Sequence, residues 1–231
     1  MPLFLLSEED ISFPPADWAP EEGLLAVGGD LSAERLLLAY RHGIFPWYNE
    51  GEPILWWSPD PRFVLFPHEL KVAKSMRPYF NQRKFEVTYD TCFEEVMKKC
   101  GEVNRKGQDG TWITDEMIEA YTHLHHMGYT HAVEVWQQGE LVGGLYGMAI
   151  GKVFFGESMF ATVSNASKFG FISLVRQLVK HDFQLIDCQQ QTRHLGSLGA
   201  RPILRREFLH LLTRYAGVGA DDTSSWRQWK D

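Results

Sequence analysis

The spacing of apolar positions changes several times along this chain, and each change predicts a different element. In "LSAERLLLAYRHG", Ser32 can cap a helix that has Glu34 in its first turn and Gly43 as its terminator, which predicts a helix over 33–42. Periodicity then fails. The stretch 43–62, "GIFPWYNEGEPILWWSPDPR", has three tryptophans, two other aromatics, four prolines and two glycines, so it reads as an ordered loop. A domain boundary is placed near residue 62.

Helical spacing returns at Phe93, Val96, Met97 and Cys100, behind a capping-box signature of Thr91 with Glu94. Thr114 opens another helix with Met117, Ile118, Tyr121 and Leu124 on one face and Gly128 past its end. At residue 131 the period shifts to two, and "HAVEVWQQGELVGGLYGMAIGKVFFGESMF" predicts three strands turning at Gly139 and Gly151. A helix capped by Asn165 follows, with Phe171, Leu174, Val175 and Leu178 on one face. Then come a short strand, "FQLIDCQ", and a last helix carrying Phe208, Leu211, Leu212 and Tyr215. This order predicts an α+β fold with a mixed sheet flanked by helices, divided into a small domain over 1–62 and a larger one over 63–231.

Composition narrows the setting. With 231 residues, 44% of them hydrophobic, the chain can bury a substantial core. No run of 18 apolar residues occurs, and the opening "MPLFLLSEEDISFPP" turns acidic too soon for a signal peptide, so a cytoplasmic protein without a membrane partner is expected. Cys92, Cys100 and Cys188 form no CxxC pair and read as reduced, buried thiols. A net charge of −7 argues against a partner such as long duplex DNA. It leaves room for local basic clusters, at Arg77, Arg83 and Lys84, at Lys98, Lys99, Arg105 and Lys106, and at Arg205 and Arg206.

Candidate chemistry centres on two acids in apolar strands. Alternation puts Asp187 and Gln189 on one face of "FQLIDCQ", and it puts Glu157 in line with Val153, Phe155 and Met159. An unpaired buried carboxylate costs several kcal/mol, so Asp187 either bonds loop amides or shares with Glu157 a negative notch suited to a cationic amine. Metal is not expected, because His123, His125 and His126 lack the i, i+4 pairing of two imidazoles on one helical face. No GxSxG, Walker or strand-bound GxGxxG motif occurs, and Cys188 has no histidine at a telling spacing.

Taken together, "GLLAVGGDLS", the aromatic stretch, "GTWIT", "ELVGGLYG", "GESMF", "NASK" and "LIDCQ" resemble the leucyl/phenylalanyl-tRNA–protein transferases of bacteria, in order from about residue 3 to residue 215. The resemblance implies a small N-terminal domain on a GCN5-like acetyltransferase (GNAT) fold. It implies transfer of Leu, Phe or, less well, Met from charged tRNA to an N-terminal Arg or Lys of a protein, marking that protein for degradation. Charged tRNA is then a co-substrate, no cofactor is needed, and a monomer is expected. The family's catalytic positions fall on Asp187, Gln189 and Glu157, and those that hold the tRNA 3′ end fall on Trp47, Trp112 and Tyr121. Leu145, Phe154 and Met159 are candidates for the amino-acid pocket. Strict alternation would put Phe154 opposite Glu157, a conflict that a bulge near Gly156 would remove.

On this reading Trp47 stacks on a splayed base, while Trp56 and Trp57 mainly pack the domains together. The basic clusters Arg77, Arg83, Lys84, Lys98, Lys99, Arg105 and Lys106 would meet tRNA phosphates. Two other classes remain. An acetyl-CoA-dependent N-acetyltransferase would need a pyrophosphate loop that "ESMFATVSNASK" lacks. A non-catalytic adaptor for basic N-termini could use the same acidic notch.

Overall fold

A computed structural model of the chain describes residues 3–103, 112–217 and 221–230. The N-terminal part forms a four-stranded sheet from β1 (Phe4–Leu6), β2 (Leu24–Gly28), β3 (Phe45–Pro46) and β4 (Leu55–Trp57), in the order β1-β2-β4-β3. Helix α1 (Ala33–Arg41) lies between β2 and β3. The aromatic stretch is therefore not all loop. Phe45 pairs with Trp57 and Pro46 with Trp56, and the proline is tolerated because β3 is an edge strand. Buried Trp56 donates from its indole to the Gly28 carbonyl at 2.8 Å, and Trp57 donates to the Trp47 carbonyl at 2.7 Å.

The second sheet has seven strands: β5 (Arg62–Leu65), β6 (Glu86–Tyr89), β7 (Thr130–Gln137), β8 (Glu140–Ile150), β9 (Val153–Ala161), β10 (Leu185–Asp187) and β11 (Arg201–Ile203). Their order is β11-β5-β10-β9-β8-β7-β6. β7, β8 and β9 form the expected antiparallel meander, and β10 returns parallel to β9 after α5 (Ala166–Lys180). The α+β class with a mixed sheet is what the structure shows.

Alternate residues of the strands feed two buried apolar clusters, one on each face. On one face Tyr146, Val153 and Phe155 pack with α1, α3 (Phe93–Gly101), α4 (Asp115–His126) and α7 (Arg205–Tyr215). On the other, Leu145 and Phe154 pack with α5, α6 (Arg193–Ser197) and the residues around α2 (Arg77–Asn81).

Ser32 and Thr114 cap as expected, accepting from Arg35 N at 3.4 Å and Met117 N at 3.2 Å. Two other expected caps differ. The N-cap of α3 is Cys92, and its end is satisfied from across the sheet. Buried Glu134 on β7 accepts from the Thr91 and Cys92 amides at 2.9 and 3.1 Å and from the Thr91 hydroxyl at 3.0 Å. Asn165 is left-handed (φ 67) and donates its side-chain amide to the Tyr79 hydroxyl instead of capping α5.

Candidate active site

The parallel pairing of β9 with β10 ends early. Leu185, Ile186 and Asp187 pair with Val153, Phe154 and Phe155, after which β9 runs on to Ala161 while the chain beyond Asp187 turns away at Gln189 (φ 58). Gln189 is therefore not presented beside Asp187 by strand alternation, as the sequence pattern had suggested. A cavity of about 650 Å³ fills the gap between the diverging strands, walled by residues from both faces of the sheet.

A bulge shapes one wall. Tyr146 pairs with Ser158 but Gly147 pairs with Gly156, which leaves Glu157 as the extra residue. Gly147 is needed there, since a Cβ would lie 2.2 Å from the Phe155 carbonyl oxygen. Because the bulge resets the alternation, Phe154 and Met159 belong to the same face as Leu145, which sits opposite Met159. All three line the cavity with Glu157, Asp187, Gln189, Trp47 and Trp112.

Tyr121 does not line the cavity. It is fully buried behind the wall, its hydroxyl 2.5 Å from that of Tyr40, and the Tyr40 hydroxyl in turn hydrogen-bonds Glu157. The acid side of the cavity is thus backed by a relay of two tyrosine hydroxyls drawn from α1 and α4.

The two carboxylates have different surroundings. Asp187 is fully buried and gripped by Arg62, whose Nε and Nη2 reach its two oxygens at 2.9 and 2.6 Å. One of those oxygens also accepts the Gln189 amide at 2.8 Å. Of the two readings left open for Asp187, the bond to a loop amide is the one the structure shows, with Arg62 as an added partner, and Asp187 does not stand as an unmatched charge beside Glu157.

Glu157 keeps some exposure at the cavity wall and takes a hydrogen bond from the Gln189 side chain at 3.0 Å. Burial pushes its pKa up to about 8, and the Asp187 charge adds to the rise, against the smaller opposing pull of Tyr40, Gln189 and Arg62. Near neutrality it holds its proton more often than not.

Arg62 escaped the sequence reading. It opens β5, is 1% exposed, and lies between the Phe45 and Phe208 rings with its guanidinium carbon 4.7 and 4.6 Å from their centroids. Its signal was an arginine at the head of the apolar run "FVLF", where a buried charge requires a partner.

The basic residues do not form one surface. Arg83, beside Arg77 and Lys84 around α2, borders an open groove of about 1190 Å³ to which Arg176, Lys180, Arg227 and Lys230 also contribute. Lys98 and Lys99 lie on α3, which packs on the opposite face, and Lys98 is paired with Glu94 at 2.5 Å. Arg105 and Lys106 lie outside the described residues.

Thiol chemistry has little footing, since burial pushes the Cys92 pKa up to about 12 and that of Cys188 still higher. Among the described residues no three His, Cys, Asp or Glu side chains are grouped so as to hold a metal, and His125 is bound to the Thr130 carbonyl at 2.7 Å.

The geometry joins an acid–amide pair to an apolar wall and two tryptophans in one cavity. Residues 64–213 match the family model for leucyl/phenylalanyl-tRNA protein transferase, and residues 29–60 match the model for its N-terminal domain. The chain belongs to the leucyl/phenylalanyl-tRNA protein transferase family.

Relatives of that description include proteins from Syntrophobacter fumaroxidans, 59% identical over 92% of this chain and 90% of the relative, and Christiangramia forsetii, 62% identical over 87% and 95%. One from Pseudomonas aeruginosa is 58% identical over 91% and 93%. Among solved structures, a GCN5-related N-acetyltransferase from Kribbella flavida aligns over 71% of this chain and 58% of its own, at 12% identity and a TM-score of 0.32. Within the transferase family assignment, Arg62 falls between the two matched segments and Trp47 inside the N-terminal one.

Proposed function

We infer that this chain is an aminoacyltransferase that moves leucine or phenylalanine, and less readily methionine, from aminoacyl-tRNA to the α-amine of a protein's N-terminal Arg or Lys, creating a degradation signal. The observation that carries the mechanism is the pairing of Glu157, at about pKa 8, with Gln189 beside an apolar wall in one cavity. An α-amine has a pKa of about 8, so proton transfer from it to Glu157 is close to level, whereas an ordinary carboxylate near 4 would be uphill by about four units.

The amine nitrogen attacks the ester carbonyl, a C–N bond forms, and the bond to the ribose oxygen breaks. Of the two protons an ammonium must lose, one ends on the ribose oxygen and one leaves through Glu157. In the resting site Asp187 is matched by Arg62 and Glu157 holds a proton; an arriving ammonium drives that proton to solvent, and the carboxylate left behind is both its counter-charge and the base that then takes one of its protons.

Holding amine and ester in attack geometry supplies about 7 to 11 kcal/mol, more than the base itself. Leu145, Phe154 and Met159 take the acyl side chain. An apolar pocket separates a missing methylene by only about 1 to 3 kcal/mol, which accounts for a mixed Leu, Phe and Met preference.

Trp47 and Trp112 hold the tRNA 3′ end, Trp47 by stacking with its loop fixed by the Trp57 indole. Phosphates meet the Arg77, Arg83 and Lys84 side, where the groove adds four further cations. The chain works in the cytoplasm, where charged tRNA is found, as a monomer of two units that join near residue 62, with Arg62 itself opening β5 of the second sheet.

Labelled leucyl-tRNA is incubated with a peptide beginning with Arg or with Ala. Label should enter the first peptide only, and raising salt should weaken tRNA binding. Trp47→Ala should loosen charged tRNA by about 1 to 3 kcal/mol in a folded protein. Label in both peptides, or in neither, would overturn the assignment.

A further inference from the structure

We propose that Arg62 is a positioning residue for the transfer step, acting through Asp187 on Gln189 and so on Glu157. This rests on the function inferred above. The chain of contacts is continuous. The Phe45 and Phe208 rings, from the N-terminal unit and from α7, both pack on the Arg62 guanidinium, whose carbon lies 4.7 and 4.6 Å from their centroids. Its Nε and Nη2 then seize both oxygens of Asp187 side by side, a geometry that only a planar fork can make.

The oxygen bound to Nε also accepts the Gln189 amide at 2.8 Å, which ties Gln189 into its left-handed turn. From that turn the Gln189 side chain reaches Glu157 at 3.0 Å. Asp187 is thus the middle of a lever, and its charge is spent on Arg62 instead of on an incoming amine. The lever also gives the N-terminal unit a mechanical part in catalysis, since one of the two rings that hold Arg62 comes from β3.

The test compares Arg62→Lys, Gln189→Ala and the double variant, each checked by thermal melt, with leucyl-tRNA and an Arg-initiated peptide as substrates. Lysine keeps the charge but loses the fork. Arg62→Lys should lower kcat by about tenfold to a hundredfold while the KM of each substrate holds within about threefold. In the Gln189→Ala background it should cost less than about threefold more. Losses that multiply, or an unimpaired Arg62→Lys, overturn the proposal.

If Arg62→Lys does not fold, the paired replacement Arg62→Met with Asp187→Leu removes both charges at once, a change that buried pairs often tolerate. It should show the Gln189→Ala defect and nothing beyond it, and full activity would overturn the proposal. Failure of the wild-type chain to transfer leucine at all would instead reject the function on which the lever rests.

Discussion

Asp187 and Glu157 border the same cavity, yet one is an anchored charge and the other a loosely committed acid. Asp187 sits in a paired stretch of β10, with a bidentate guanidinium and a backbone amide on its oxygens. Glu157 sits on a bulge, where its partners are the neutral groups of Gln189 and Tyr40. A carboxylate that has its cation can hold geometry. One that lacks a cation, and is held near pKa 8 by burial, is free to exchange a proton with an amine. On the proposed function the two acids divide the work accordingly.

The comparison breaks most visibly at Glu157→Gln, which removes the exchangeable proton but keeps the shape. Turnover at pH 7 should fall by about 10²- to 10⁴-fold with little change in tRNA affinity. In the wild type, turnover should climb as pH rises toward about 8 through two groups, Glu157 and the substrate's α-amine, and the variant should keep only the shallower limb of the amine. A variant that keeps its activity would remove Glu157 from the proton path.

Next in size is Asp187→Asn, whose main cost is structural, because it strands Arg62 as a buried charge. Unfolding titrations should show a loss of about 3 to 5 kcal/mol. Turnover should drop more than tRNA binding does. If Glu157→Gln is the more destabilising of the two, the division between anchor and proton carrier is wrong.

The smallest effect sharpens the contrast through pH. A carboxyl whose pKa is raised on folding contributes stability that is present below its unfolded value and is lost as pH climbs through the folded value. For Glu157 that window runs from the ordinary glutamate range to about 8. Melting curves should therefore show Glu157→Gln gaining a few degrees on the wild type between pH 5 and pH 9. A gap that narrows as pH rises would contradict the raised pKa.

Much of the fold was legible because helices and hairpins are written in local spacing. The Ser32 and Thr114 caps, the meander over β7 to β9 and the faces of α5 and α7 follow from neighbours within a few residues. Short strands were less readable. β3, β4, β5 and β11 have between two and four residues each, too few to display a period, and β5 and β11 take partners distant in sequence. The cap of α3 was misassigned for the same reason, since Glu134 lies some forty residues from the amides it satisfies.

At the site, the sequence by itself determined which residue types are present and that they come from one family's motifs: the acids, the glutamine, the tryptophans and the apolar wall. Only the tertiary structure decided that Arg62 neutralises Asp187, that Glu157 is the extra residue of the bulge expected near Gly156, that Tyr121 stands behind the cavity, and that the basic clusters part to opposite faces. The physical reason is range. Spacing along a chain reports which face of an element a side chain occupies, whereas charge pairing and desolvation depend on what other elements bring to that face.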